Sequence, residues 1–172
     1  MTNHLQRTVR TRPRNGLAIT DVLAGVFASE LCWPSQELWL VSGWVSDVIV
    51  LDNSLRRFDG LFGHDEGSSL TLSEVLCILA ANGTEVHVAL RDVEHNRDFL
   101  RRLGRESQIR TYLSADLHEK ILVGWDWTLK GSMNFTWNGM QRNEESIDLQ
   151  VGPKVASMQR LELRTRWLGE GG

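Results

Sequence analysis

The sequence predicts an α/β fold in which helices cover both faces of a mixed β-sheet. The chain has 172 residues, of which 41% are hydrophobic and 24% charged, as is typical of one globular domain with its own core. Stretches with helical spacing of apolar residues alternate with short, strand-like apolar runs. Several strand-like runs then follow one another before a last helical stretch. This order predicts an α/β/α sandwich around a mixed central sheet.

The N-terminal part begins with a segment that differs from the rest of the chain. Residues 1–16 are predicted to form a basic extended arm, closed by Pro13 and Gly16, and residues 17–172 a single domain. Residues 17–33 carry apolar side chains at helical spacing, whereas residues 37–44 alternate like a strand. Residues 45–70 show no clear pattern apart from a glycine-rich stretch.

The middle of the chain contains the clearest helix, at residues 71–82. Thr71 and Glu74 can form a capping box at its start, and Gly83 stands where a C-terminal glycine belongs. A strand, a second helix ended by Gly104, four further strands and a last helix opened by Pro153 are predicted to follow. They occupy residues 84–91, 92–104, 108–113, 117–124, 127–132, 146–151 and 153–168.

Charge and cysteine content narrow the function classes. The net charge is −3, but arginines concentrate in the arm and at residues 97–110, and such local patches can attract polyanions. A solvated tail and a solvated helix face are the alternative interpretation. Cys32 and Cys77 lie in apolar runs and are predicted to be small core residues without a disulfide. No signal-like or membrane-spanning stretch is recognised, so we expect a cytoplasmic protein.

One short stretch, HEKILVGWDWTLKGSMN at residues 118–134, carries most of the chemistry. His118 and Lys120 are two positions apart in a predicted strand and therefore face the same side. Ser132 and Asn134 have the same spacing after the turn, so a hairpin would gather all four side chains into one patch. Their donors and charge suit a phosphate, with the histidine as nucleophile. No carboxylate cluster accompanies them, so we expect no metal and no cofactor; a strand pair with outward polar residues is the alternative.

The stretch resembles the signature of the phospholipase D superfamily, H-x-K-x4-D followed by six residues and then G-S-x-x-N or G-S-x-N. The match covers His118, Lys120, Gly131, Ser132 and Asn134, as one motif per chain. The order of elements from residue 37 to 152 is also similar to that family. The resemblance implies a phospholipase D-like sandwich whose histidine, lysine and asparagine contact the phosphate. It also implies that a glutamate in RNEESIDLQV orients the histidine, and we choose Glu145, with Glu144 as second choice.

The sequence departs from the signature at its aspartate. Counted from Lys120 the aspartate should stand at Trp125, and counted back from Gly131 it should stand at Gly124. Asp126 fits neither count, so the predicted turn is one residue shorter than the signature. We interpret this as a remodelled hairpin tip, which leaves an inactive relative as an open alternative.

A single motif predicts a homodimer. In-line displacement at phosphorus puts nucleophile and leaving group on opposite sides, so a second acid must protonate the leaving oxygen. A two-fold axis that joins two copies of His118 supplies it. The resemblance implies the same, because single-motif members of the family are homodimers. The other histidines lack a following lysine and G-S-x-N: His4, His64, His87 and His95.

Substrate and partners are implied mainly by the resemblance. The superfamily cleaves DNA, RNA and phospholipids; the short chain, the basic arm, Arg97 and Arg101 favour nucleic acid, and DNA first. Trp125 is predicted to lie beside the site, where it would stack on a base, with packing in the core or at a dimer interface as the open alternative. Trp127 is expected in the core, and Trp137 in the core or at a dimer interface.

Small members of the family are associated with restriction and other defence systems, so proteins of such a system are the implied partners. The expected activity is that of a DNA endonuclease. Two other interpretations stay open, a silent dimeric DNA-binding module of a larger complex and a phospholipase or phosphatidyltransferase.

Overall fold

The computed structural model describes residues 5–10, 18–56, 58–62, 68–104, 106, 108–141 and 145–169. The strands are β1 (Leu5–Arg10), β2 (Glu37–Ser42), β3 (Ile49–Leu51), β4 (Leu70–Thr71), β5 (Glu85–Arg91), β6 (Ile109–Ser114), β7 (Lys120–Val123), β8 (Trp127–Gly131) and β9 (Ser146–Val151). The helices are α1 (Ile19–Cys32), α2 (Asp59–Phe62), α3 (Leu72–Ala81), α4 (Arg97–Leu103), α5 (Trp137–Gln141) and α6 (Pro153–Leu168), with a 3₁₀ turn at Glu94–Asn96 before α4.

Seven strands form one mixed sheet in the order β1-β9-β8-β7-β2-β5-β6. β2, β5 and β6 run parallel, as expected for strands joined by helical crossovers. β7, β8, β9 and β1 continue the sheet as antiparallel neighbours. β3 and β4 pair separately. The mixed sheet confirms the predicted fold class.

Each face of the sheet is covered by helices because side chains alternate along the strands. Leu38 and Leu40 of β2 belong to the larger core, together with buried residues of α1, α3 and α4. Trp39 and Val41 face the other way and pack with Leu163 of α6. The result is the predicted α/β/α sandwich. No helix of the described residues is long and apolar enough to cross a membrane.

The helix predicted at residues 71–82 is α3, with the predicted capping box. The backbone N–H of Thr71 donates to Glu74 Oε2 at 2.8 Å, and the Glu74 N–H donates back to Thr71 Oγ1 at 3.4 Å. Gly83 follows the helix with φ of +97°, a left-handed conformation that favours glycine. The last helix begins at Pro153, also as predicted.

Other segments differ from expectation. Residues 5–10 of the predicted arm form β1, which pairs with β9 along its whole length; residues 1–4 and 11–17 lie outside the described residues. Residues 45–70, unreadable from sequence, contain β3, α2 and the start of β4. The expectation of a buried Cys32 is wrong, because it ends α1 and is exposed, while Cys77 is half-buried.

Helix α6 is fixed to the sheet by a buried carboxylate. Glu37, at the start of β2 and 2% exposed, accepts from the Arg164 Nε–H at 2.9 Å and from the Trp39 indole N–H at 2.6 Å. Burial alone would raise the pKa of Glu37, but these hydrogen bonds from Arg164 and Trp39 hold it below its usual value. A charged group buried this way needs all its partners, so the network specifies where α6 docks.

His87 lies in the same layer and forms part of an aromatic stack. Its ring is parallel to Trp39, with centroids 4.1 Å apart, and its Nδ1 is 2.9 Å from the Tyr112 hydroxyl. Burial lowers the pKa of His87, because the charged imidazolium is poorly solvated there. The stack accounts for this histidine as a structural residue.

Candidate active site

The motif residues meet at one edge of the sheet, where β2 and β8 end and β7 begins. In the strand register Lys120 pairs with Ser42, the last residue of β2. Ile121 pairs with Lys130 of β8, which places Gly131 across from Lys120. The hairpin β7–β8 therefore brings the two halves of the motif together at its open end, as the sequence predicted.

His118 lies in the segment just before β7 rather than within a strand. Its side chain is exposed, and among the described residues no hydrogen bond or ion pair engages the imidazole. The Lys120 ammonium donates to the His118 carbonyl oxygen. An accessible imidazole thus stands next to a cation, an arrangement suited to an anionic substrate.

Gly131 and Ser132 are explained by the close approach of β9. A Cβ at position 131 would overlap the Ser146 carbonyl and lie 2.9 Å from the Ile147 Cα, so only glycine fits. Ser132 then continues the contact, since its N–H donates to the Ser146 oxygen at 3.0 Å and its Oγ accepts from the Ser146 N–H at 3.1 Å.

Glu145 lies beside Ser132 and accepts a hydrogen bond from its hydroxyl at Oε2. The carboxylate chosen from sequence is therefore part of the same edge. The bond fixes the serine oxygen in one orientation. Glu144, the second choice, lies outside the described residues.

Asn134 joins the motif to the loop that follows β2. Its Oδ1 accepts from the Trp44 backbone N–H at 3.2 Å. With the oxygen so used, the NH₂ group of the amide is the part available to a phosphate oxygen. Gly43, which precedes Trp44, lies close to the segment before β7, since a Cβ there would be 3.1 Å from the Leu117 carbonyl oxygen.

The shortened turn lies at the opposite end of the hairpin from this cluster. Gly124 lies four positions after Lys120, which is about 13 Å along an extended strand. The expectation that Trp125 lies beside the site is therefore wrong within one chain. Trp127 is buried as expected, whereas Trp137, expected in the core or at a dimer interface, lies outside the core of this chain and is 55% exposed.

The turn is held by groups that do not belong to the motif. The Ser35 hydroxyl accepts from the Trp125 N–H at 2.7 Å and donates to buried Glu30 at 2.8 Å. The Arg160 guanidinium donates to the Trp125 carbonyl at 2.6 Å and stands 4.6 Å above its ring. The Gly124 carbonyl accepts from the same guanidinium. These contacts order the turn without an aspartate at the position the signature requires.

Helix α4 begins near the edge of the sheet that carries the site, but Arg97 and Arg101 of this helix form ion pairs with acidic residues. Arg97 contacts Glu94 at 2.8 Å, and Arg101 contacts Asp98 at 2.9 Å, both on exposed surface. Such pairs are weak and exchange readily with other anions. They nevertheless leave this helix less positive than the arginine count suggests, and Arg105 lies outside the described residues.

An aromatic groove of about 480 Å³ adjoins the motif and was missed by sequence reasoning. It includes Trp44, Ser46, His95, Asn134 and Trp137. The sequence offered one sign of the groove, Trp44 just after the apolar strand β2. His95 and Trp137 come from distant segments of the chain, and only the fold brings them to the groove.

Comparisons with known proteins agree with this architecture. No family model matches the sequence, and no curated protein matches it. Among solved structures, Nuc from Salmonella typhimurium, a phospholipase D family member, is similar with a TM-score of 0.65 and 12% identity, over 99% of this chain and 97% of that one. NucT from Helicobacter pylori is similar with a TM-score of 0.66 and 10% identity, over 97% of both chains.

A third similar structure belongs to a larger protein. Polyphosphate kinase from Porphyromonas gingivalis matches 98% of this chain and 26% of its own, with a TM-score of 0.65 and 14% identity. At such identities the likeness is evidence of fold alone. It agrees with the motif, the mixed sheet and the element order, and the chain therefore has the phospholipase D superfamily fold.

Proposed function

We propose that this protein is a phosphodiesterase of the phospholipase D type, and most specifically a DNA endonuclease that forms a phosphohistidine at His118. The observation that supports the proposal is that the chain brings His118, Lys120, Ser132 and Asn134 to one open edge of the sheet. An accessible nucleophile, a cation and several donors form a phosphate-binding arrangement.

The proposed reaction has two steps. The His118 imidazole attacks phosphorus, a P–N bond forms, and the P–O bond to the leaving alcohol breaks. Water then attacks the phosphohistidine, the P–N bond breaks, a phosphomonoester is released and the His118 imidazole is regenerated. Lys120 and the Asn134 amide stabilise the charge on the non-bridging oxygens, and Glu145 orients Ser132 through the hydrogen bond from its hydroxyl.

The leaving oxygen needs a proton from the side opposite the nucleophile. We propose that His118 of the partner subunit supplies this proton and later takes one from the attacking water. The single motif supports a two-fold symmetric site, in which each chain contributes one histidine. Proteins of a restriction or defence system are proposed as the partners that restrain such an enzyme.

DNA cleavage with a matched variant tests the activity. Wild type and His118→Ala are incubated with labelled single- and double-stranded DNA in EDTA. We expect cleavage by the wild type alone, with a loss on the order of 10³-fold or more in the variant. Lys120→Ala, which keeps the nucleophile, should retain slow cleavage. If wild type and His118→Ala cleave equally, the assignment of the nucleophile is wrong.

Mixing the two proteins tests the shared site. After subunits exchange between equal amounts of wild type and His118→Ala, only about a quarter of the dimers carry two histidines, so activity should follow the square of the wild-type fraction. A linear dependence, or cleavage by a protein that light scattering shows to be a monomer, contradicts the dimeric site.

The signature's missing aspartate supports one alternative, a silent DNA-binding module. In that case both proteins bind DNA equally and neither cleaves it. The turn itself is about 13 Å from Lys120 and ordered by its own contacts, which favours the active enzyme. Release of headgroup from phospholipid vesicles by wild type, without DNA cleavage, would instead identify a phospholipase.

A further inference from the structure

The groove beside the motif contains an exposed aromatic ring on an unusually well-anchored loop. Trp44 lies two residues after Ser42, the last residue of β2, and its side chain is 41% exposed. Its N–H donates to Asn134 Oδ1 at 3.2 Å, and its carbonyl accepts from the Ser42 hydroxyl at 2.8 Å. The backbone that carries this ring is therefore bonded on both sides.

The neighbouring residues extend this anchoring. Fully buried Asn96 accepts from the Val45 N–H at 2.9 Å and donates to the Gly43 carbonyl at 2.9 Å. The Ser46 N–H donates to the Phe135 carbonyl at 2.8 Å. An exposed tryptophan on a loop without freedom to rearrange is preorganised for contact with a ligand.

Polar and aromatic partners complete the groove. The His95 ring lies 5.3 Å from the Trp44 ring at an angle of 58°, and its Nε2 is 3.0 Å from the Ser46 hydroxyl. Trp137, 55% exposed, lines the same groove. Apolar ring faces beside a hydroxyl and an imidazole suit a flat heteroaromatic group with a polar edge.

Asn134 connects the groove to the proposed phosphate site. Its oxygen fixes the Trp44 loop, while its NH₂ group is available to a phosphate. Asn134 thus lines the groove and also belongs to the proposed phosphate site, so the two are contiguous.

We propose that this groove is a nucleobase subsite in which one unpaired base of a single-stranded nucleic acid stacks on Trp44. A base within a duplex has both faces stacked on its neighbours, so the ring reaches it only when it is unpaired. The inference rests on the proposed phosphodiester function of the adjoining site and names its substrate class. A phospholipid has no equivalent of the base.

Binding measurements test the subsite independently of cleavage. In a His118→Ala background, anisotropy reports binding of a labelled oligothymidylate and of an abasic oligomer with the same number of phosphates. Trp44→Ala should weaken oligothymidylate binding about tenfold and leave abasic binding within about twofold. Trp44→Phe, which keeps a ring, should retain most of the preference.

Trp33→Ala is the matched control, because Trp33 is 84% exposed but lies between α1 and β2, before the start of β2, whereas the groove lies beyond the end of that strand. It should change neither affinity. Equal weakening of oligothymidylate and abasic binding by Trp44→Ala, or no weakening of either, overturns the subsite. Equal weakening of duplex binding overturns the requirement for an unpaired base.

Kinetics separate failure of the subsite from failure of the proposed function. Thymidine para-nitrophenyl phosphate and methyl para-nitrophenyl phosphate share a leaving group and differ in the base. If wild type cleaves both, Trp44→Ala should lower kcat/KM for the thymidine ester alone, by about tenfold. If wild type cleaves neither, the proposed function fails, and the anisotropy comparison still decides the subsite.

Discussion

Ser35→Ala tests whether the remodelled turn affects stability but not catalysis. Ser35 is 5% exposed and joins the turn to the protein interior through two hydrogen bonds of its hydroxyl group. The hydroxyl accepts from the Trp125 N–H at 2.7 Å and donates to the Glu30 carboxylate at 2.8 Å. The substitution removes a hydrogen bond to a charged, buried group and leaves the Trp125 N–H without this acceptor. We expect a loss of about 2–3 kcal/mol in the free energy of unfolding.

For a chain of this length that loss lowers Tm by about 5–10 °C, which thermal melts followed by tryptophan fluorescence measure directly. Ser29→Ala is the matched control, because Ser29 is an exposed serine of α1, the helix that carries Glu30, and its loss should leave Tm nearly unchanged. At a temperature where both variants are folded, kcat/KM for a chromogenic phosphodiester should stay within about twofold of wild type, because the turn is about 13 Å from Lys120.

Two results would refute this reasoning. A Tm within about 1 °C of wild type would show that the Ser35 bonds do not hold the turn. A tenfold lower kcat/KM in folded Ser35→Ala would show that the turn is coupled to the site after all, and would restore weight to the aspartate that the signature expects there.

Three further predictions concern the site and the core. Gly131→Ala should lower the free energy of unfolding by about 3 kcal/mol, because the added Cβ overlaps the Ser146 carbonyl; an unchanged Tm in thermal melts would contradict the close approach of β9. Glu145→Gln should lower kcat/KM about tenfold to a hundredfold, because the charge-assisted bond from Ser132 is weakened; unchanged kinetics with an intact Tm would remove Glu145 from the site. Because burial lowers the pKa of His87 from 6.5, the unfolded chain binds the imidazole proton more tightly than the folded chain does. The free energy of unfolding is therefore unaffected by His87 protonation well above about pH 6.5 and decreases as the pH falls below it. Denaturant titrations between neutral and acidic pH should show this dependence in wild type and less of it in His87→Gln, and equal slopes for both would refute it.

The sequence by itself determined the fold class, the ends of helix α3 and the composition of the motif. These properties are local: the period of apolar residues sets each element, and Thr71, Glu74 and Gly83 act within one or two helical turns of one another. The two-residue period likewise predicted that the halves of the motif share a patch, since pairing of adjacent strands follows from a short turn.

What the sequence could not decide depends on contacts between distant segments. The cost of the missing aspartate was unreadable because Ser35 and Arg160, which hold the turn, lie 90 and 35 residues from Trp125. The prediction that Trp125 lies beside the site was wrong because Trp125 stands in the turn of the β7–β8 hairpin, whereas Lys120 and Gly131 lie at the open end of the same hairpin.

The groove was invisible for the same reason. Trp44 meets His95 and Asn134 only after parallel pairing of β2 with β5 brings their carboxyl ends to one edge. Tertiary structure alone decides such meetings, because strand order and register place side chains together that no local pattern connects.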